Sequence, residues 1–179
     1  LLARRRKVIG PSLSISYREK LKIVRGRGPW LIDHTGRRYL DTVNNITHVG
    51  HCHPHVVEAL ARQAAELNTN TRYLHDAMPR LAERIAATMP GDLKVVTFVN
   101  SGTEANEALI KLARLHGVRK AGEEGKCYKI ICAQYAFHGR TFGGMSATPQ
   151  EKIQKGFRPL VPGFAFGEIN NLQSFIDLV

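Results

Sequence analysis

Residues 94–117, KVVTFVNSGTEANEALIKLARLHG, constrain the fold more than any other stretch of the chain. Val95, Val96, Phe98 and Val99 form a short apolar run with almost no alternation, which predicts a strand covered on both faces. Asn100, Ser101, Gly102 and Thr103 break that run. Beyond them Ala105, Ala108, Leu109, Leu112 and Ala113 recur at helical spacing, and Gly117 is placed to stop the helix. A strand that passes through a Gly-containing turn into a helix suits an anionic ligand. The first helical N–H groups lack internal partners, and the positive end of the helix dipole lies behind them. Gly102 leaves room for close approach, while Ser101 and Thr103 add hydroxyl donors. Ser101-x-x-Glu104 is equally a capping box, which needs no ligand. The turn alone leaves both readings open.

Bulk properties narrow the class. A chain of 179 residues with 43% hydrophobic and 23% charged residues is that of an ordinary globular protein with a real core. It has no membrane-spanning run and no secretory pattern, so a cytoplasmic protein without a membrane partner is expected. Leu1 stands where a start methionine would, which reads as a processed or excerpted sequence. Cys52, Cys127 and Cys132 are odd in number, lack CxxC spacing, and are expected to be buried, reduced thiols. The net charge of +11 permits an anionic partner. Only Arg4-Arg5-Arg6-Lys7 forms a basic run, however, and no aromatics interleave with the cations in an RNA-binding pattern. Nucleic acid is not expected as a partner. Diffuse positive charge suits anionic small molecules.

Residues 1–11 are expected to be poorly ordered. Strands are predicted near 21–24, 30–33 and 37–40, the last pair closed by His34-Thr35-Gly36 with Gly36 in the left-handed position. Such an antiparallel unit is too thin to bury its own core. Residues 43–55, VNNITHVGHCHPH, hold His48, His51, His53 and His55, four of the eight histidines. No carboxylate or thiolate pattern among them fixes a metal geometry, and no metal is expected. The stretch mainly prepares a helix, with Pro54 at its first position and Val57, Leu60, Ala61 and Ala64 on its buried face to about residue 67. A second helix is predicted from an Asp76 cap to Met89.

After the central helix and a charged loop at 120–126, residues 128–133 read as a second buried strand. Strand, helix, strand predicts a βαβ unit with parallel strands and a right-handed crossover. The turn at 101–103 and the segment 135–140 would then both leave the carboxyl edge of one sheet, where open α/β folds bind ligands. An anion-ready turn, a ring (Phe137), an imidazole (His138) and a guanidinium (Arg140) would converge there. A planar aromatic phosphate ester could use the first three. Arg140 is suited to gripping a carboxylate through both oxygens.

The motifs NSGTEANEALIKLAR, FHGRT and GFRPLVPGF, with GRRYLD, GHCHP and LNTNTRYLH, resemble those of the class III aminotransferases over nearly the whole chain. The resemblance implies the N-terminal part of an α/β, fold type I enzyme dependent on pyridoxal 5′-phosphate. Residues 1–66 would contribute to a small antiparallel unit, and 67–179 would begin the large, mostly parallel αβα domain. By the same resemblance Ser101, Gly102 and Thr103 contact the cofactor phosphate, Phe137 stacks on its pyridine ring, His138 lies beside it, and Arg140 binds substrate carboxylate.

The resemblance is divided. SLSISYRE, NNITHVGHCHP and LNTNTRYLHD look like the phospholyase branch, which acts on phosphorylated amines and amino acids. FHGRTFGGMSAT and QKGFRPLVPGF look like acetylornithine-type enzymes. Because FHGRT carries the substrate contacts, the expected reaction is transfer of an amino group from an ω-amino acid to a 2-oxo acid such as 2-oxoglutarate, in a homodimer. Phospholyase activity is the alternative, and a non-catalytic basic fragment a second one. The Schiff-base lysine of the family has no counterpart before Val179, so no catalytic residue is assigned and the chain alone is expected to be inactive. Lys111 reads instead as a solvated i, i+4 partner of Glu107.

Overall fold

The computed structural model describes residues 1–43 and 48–179. The chain forms two compact units, Leu1–His75 and Asp76–Val179. Each has its own sheet.

The first unit opens on helix α1 (Leu2–Val8), where poor order is expected from the basic run. Leu, Ala, Arg and Lys are all good helix formers, and Arg5, Arg6 and Lys7 sit in the last turn, where cations complement the helix dipole. Strands β1 (Ile23–Arg27), β2 (Trp30–Asp33) and β3 (Arg38–Leu40) follow as an antiparallel meander. Gly36, at φ +91°, supplies the left-handed residue of the second turn as expected.

Asp33 fixes that turn. Its carboxylate accepts from the Thr35 hydroxyl (2.6 Å) and N–H (2.8 Å), the Tyr39 hydroxyl (2.9 Å) and the Arg37 N–H (3.1 Å). These donors, the Thr35 hydroxyl foremost, hold its pKa well below the usual carboxylate range against the opposing effect of burial. A carboxyl whose folded pKa is depressed contributes stability above its unfolded pKa, about 4, and loses it as pH falls further. The unit's thermal midpoint is therefore expected to decline below about pH 4, and Asp33→Asn to remove most of that decline. Melting both proteins across pH 2–7 checks this.

His51 is tied to the turn between β1 and β2. Its backbone exchanges hydrogen bonds with Gly28 in both directions (2.8 and 3.0 Å), and its Nε2 lies 2.7 Å from Asp41 Oδ2. Residues 44–47, part of the His-rich stretch, lie outside the described residues. Among the described residues no three His, Cys, Asp or Glu side chains are grouped to hold a metal ion. Helix α2 (Pro54–Glu66) starts at the proline, as predicted. Its expected buried face is not buried: Leu60 is 70% exposed, and Val57, Ala61 and Ala64 are exposed too. The helix is amphipathic, but among the described residues of this unit no surface packs across its apolar stripe.

In the second unit α3 (Ala77–Ala86) begins after Asp76 and ends three residues before Met89, passing into turns that lead to Gly91 at φ +60°. Residues 93–99 then run without strand pairing, and Val95 is 94% exposed. The predicted buried strand is therefore not formed. An apolar run becomes a strand only where another chain segment takes its N–H and C=O groups, and among the described residues none does. Helix α4 (Gly102–Ala121) follows and runs through Gly117 to a left-handed cap at Gly122 (φ +73°), so Gly117 is not the stop.

Strand β4 (Ile130–Ala133) is parallel, but its partner is β5 (Phe164–Gly167), with Ile130 opposite Phe164. The expected pairing with 95–99 is absent. Between these strands lie α5 (Phe142–Ser146) and α6 (Glu151–Gln154), and α7 (Leu172–Ile176) ends the chain, capped by the Asn171 side chain (3.2 Å to the Ser174 N–H). The buried centre is small: Met145, Ala147, Thr148 and Ile153. The Gln154 amide closes it by donating to the carbonyls of Thr148 (2.9 Å) and Met145 (3.3 Å). Among the described residues no helix is long and apolar enough to cross a membrane.

Candidate functional site

The amino end of α4 is capped from within. Ser101 Oγ accepts from the Glu104 N–H at 3.2 Å, and the Glu104 carboxylate reaches back to the Asn100 N–H at 2.6 Å. The reach goes one residue past the cap, which satisfies a donor outside the helix. The cap leaves something over. The N–H groups of Gly102 and Thr103, in the first turn, find no partner among the described residues, and no atom lies within 4 Å of where a Gly102 side chain would start. Capping therefore leaves other donors of the same turn open to an anion.

The segment 137–140 is brought to this turn by α4 itself, not by a shared sheet edge. Asn106 Nδ2 donates to the His138 carbonyl at 2.9 Å, and the His138 N–H donates to Thr148 Oγ1 at 2.8 Å. Thr148, fully buried, donates its own hydroxyl hydrogen bond to the Gly144 carbonyl at 2.8 Å. Gly139, at φ +117°, is pressed against Thr103: a Cβ there would lie 2.5 Å from Thr103 Oγ1. Both the conformation and the contact require glycine. The Arg140 guanidinium sits over the exposed Phe137 ring, 5.8 Å from its centroid.

Glu107 does not pair with Lys111. Its Oε1 accepts from the Thr141 hydroxyl (2.5 Å) and the Gly144 N–H (3.0 Å), which anchors the start of α5 on α4. A carboxylate with two such donors is better satisfied than in a solvated i, i+4 pair. The sequence does not single out Asn106 or Thr148, and it reads Glu107 only as a partner of Lys111. The one available signal was Thr141, a helix N-cap residue three positions before Gly144, and it does accept from that N–H at 3.3 Å.

Beneath His138 lies an apolar cavity of about 280 Å³, lined by Leu109, Ile131, Cys132, Ala136, Ala147 and Phe164 among others. Burial pushes the Cys132 thiol up, away from the reactive thiolate. Cys52 and Cys127 are exposed rather than buried, because the surfaces that carry them are not covered by other described elements. The His138 Nε2 is buried with no hydrogen-bond partner. Free first-turn donors for a phosphate, an orphaned imidazole nitrogen and an exposed ring are a donor set that fits pyridoxal 5′-phosphate.

Small-residue turn, long helix and parallel strands make up the architecture of the fold type I pyridoxal-phosphate transaminases, which are among its structural neighbours. A phospholyase from Arthrobacter, in complex with phosphoethanolamine, matches with TM-score 0.82 and 31% identity, over 99% of this chain and 42% of its own. An ornithine aminotransferase from Toxoplasma gondii, with pyridoxal phosphate partly occupying its active site, matches with TM-score 0.82 and 25% identity, over 99% and 41%. By sequence the chain is 43% identical to an acetylornithine aminotransferase of Caldanaerobacter subterraneus over 165 residues, 90% of this chain and 41% of the relative. The family model for class III aminotransferases matches residues 14–175. This chain belongs to the class III aminotransferases, whose cofactor is pyridoxal 5′-phosphate. It spans less than half the length of the curated relatives it matches.

Proposed function

We propose that the protein carrying this chain moves an amino group from an ω-amino acid of the acetylornithine or ornithine type to a 2-oxo acid such as 2-oxoglutarate. The observation that carries the reading is the meeting, at the amino end of α4, of unused helix donors with Phe137, His138 and Arg140. In this reading Ser101, Gly102 and Thr103 hold the cofactor phosphate through backbone N–H groups and hydroxyls. Phe137 covers one face of the pyridine ring, and His138 gives its unpartnered Nε2 to the same group. Bound there, pyridoxal 5′-phosphate supplies the electron sink that amino transfer requires.

Arg140 orients the substrate. Its guanidinium is exposed and held in place by the Phe137 ring, so it can take the carboxylate of donor or acceptor through two parallel hydrogen bonds. Residues 67–179 begin the domain that holds the cofactor, and 1–66 belong to the smaller one. The working enzyme is a homodimer, and its cofactor lysine lies outside these 179 residues, so the chain alone does not transaminate. The second reading, phospholyase activity on a phosphorylated amine, is favoured by the likeness to the Arthrobacter protein.

One assay separates the two. The protein at its natural length is incubated with the cofactor, 2-oxoglutarate and either acetylornithine or ornithine, and glutamate is measured. Phosphoethanolamine is supplied in parallel and inorganic phosphate is measured. Glutamate formed in step with donor consumption is the expected result. Phosphate release without glutamate would establish the second reading in place of the first.

A further inference from the structure

We infer that Asn106 and Glu107 are positioning residues for the cofactor face, holding the 137–144 segment at the distance from the phosphate turn that the pyridine ring requires. The inference rests on the reading of Ser101–Thr103 and Phe137–Arg140 as the cofactor site. It goes beyond that reading, because neither residue touches the cofactor in it.

Both residues lie just after the phosphate turn, on the stretch of α4 that meets the loop. Asn106 holds the loop by the His138 carbonyl (2.9 Å). Glu107 holds it three and six residues further on, by the Thr141 hydroxyl (2.5 Å) and the Gly144 N–H (3.0 Å). The loop between these two anchors contains Gly139, a residue with no side chain to pack and a φ of +117°. Such a segment keeps one conformation only where its neighbours determine it. His138 is fixed on its other side by Thr148, and the Ala136 carbonyl by Gln150 Nε2 (3.0 Å). The segment is thus tied through its backbone at 136, 138 and 144 and through the Thr141 side chain at 141, while the Phe137 ring and Arg140 guanidinium between the ties stay exposed.

The chemical consequence is a fixed spacing. The phosphate turn, at residues 101–103, and the two anchors, at 106 and 107, lie within seven residues at the start of one rigid helix, so the gap between phosphate and ring is set by the helix and not by the loop. A phosphate ester spans that gap; a free phosphate does not. Removing an anchor should therefore weaken binding of the ring while sparing binding of phosphate. A residue of general structural importance would weaken both or neither.

The test uses the protein at its natural length with Asn106→Ala, Glu107→Ala and Glu107→Gln. Inorganic phosphate and pyridoxal 5′-phosphate are titrated separately, the second by absorbance and the circular dichroism of the bound chromophore. Amide hydrogen exchange is followed at His138 and Gly144. Each alanine variant is expected to bind inorganic phosphate as wild type does but pyridoxal 5′-phosphate about tenfold more weakly, the worth of one net hydrogen bond. Its chromophore dichroism should fall and exchange at the two amides should quicken. Glu107→Gln keeps an oxygen acceptor and should restore most of the affinity. Should an alanine variant fail to fold, Thr141→Val, which puts a methyl group in place of the hydroxyl that Glu107 accepts from and that caps α5, is read in its place. Unchanged ring affinity and dichroism in the variants overturn the inference. A wild-type protein that binds phosphate but not pyridoxal 5′-phosphate overturns the parent reading. In that event the anchors are judged by exchange, and unchanged rates at His138 and Gly144 overturn them too.

Discussion

Replacing Gly102 by aspartate is expected to leave α4 as stable as before, or more so, while lowering the affinity for pyridoxal 5′-phosphate at least about a hundredfold. The two effects have opposite signs because they act on different properties of the same position. Gly102 opens the helix, its backbone is not in the left-handed region, and nothing in the protein lies within 4 Å of a Cβ placed there. A side chain therefore costs no contact. It removes the conformational entropy that glycine gives the unfolded chain, about 0.5–1 kcal/mol, and a carboxylate in the first turn adds about 0.3–1 kcal/mol through the helix dipole. The same carboxylate faces the Gly102 and Thr103 N–H groups, competes for them, and repels a dianionic phosphate. At about 4 Å, with the screening typical of a protein surface, repulsion per charge pair is about 4 kcal/mol, enough for the stated loss after the ends relax. Gly102→Asn is the control: it fills the same space without charge and should lose far less affinity. Thermal melting and cofactor titration of the two variants decide the matter. Wild-type affinity in Gly102→Asp would remove the phosphate from this turn and leave the capping box as its only role.

That experiment separates two readings which the sequence could not. Ser101-x-x-Glu104 looked like a cap and like a cradle, and the structure shows the cap made by Ser101 Oγ and Glu104 with two donors unused. Features of this kind were legible because their causes are local. Gly36 turns a hairpin, Pro54 starts a helix and Ser101 caps one, each within four residues of its effect. What was not legible depends on distant partners. FAFG at 164–167 is too short to show a period, and its pairing with β4 spans some thirty residues with no turn signal to announce it. Residues 95–99 have the composition of a buried strand, but composition cannot supply the neighbour that makes one. The site divided in the same way. Residues whose type announces chemistry, such as Phe137, His138 and Arg140, stand out in a sequence. Asn106 and Glu107 do not, because a polar residue on a helix ordinarily reads as solvated, and only the returning chain reveals a carbonyl and a hydroxyl waiting for them.

Gly117 gives the largest expected loss of stability, and the sign of the result discriminates among three roles a helical glycine can have. A stop in the left-handed region would lose about 1 kcal/mol on replacement by alanine. An interior glycine with open space around it would gain about 0.8–1 kcal/mol, the propensity difference. Gly117 is neither. It is the one buried residue of α4, five residues before the true cap at Gly122, and a Cβ on it would overlap the carbonyl oxygen of Cys127 and lie 2.9 Å from the carbonyl carbon. The obstacle is backbone, which cannot swing aside as a long side chain can. Residues 123–129, which carry the chain from α4 to β4, would have to move outward with Cys127. Overpacking of this kind costs about 1–3 kcal/mol at sites able to relax and more at those that cannot, which exceeds the gain in propensity. Gly117→Ala is therefore expected to destabilise the second unit by about 2 kcal/mol or more, a fall of roughly 10 °C in melting temperature for a unit of this size. Its β4–β5 amides should lose protection before those at the start of α4. A variant that melts at or above the wild-type temperature would mean that the approach of Cys127 to the helix is not what demands glycine at this position.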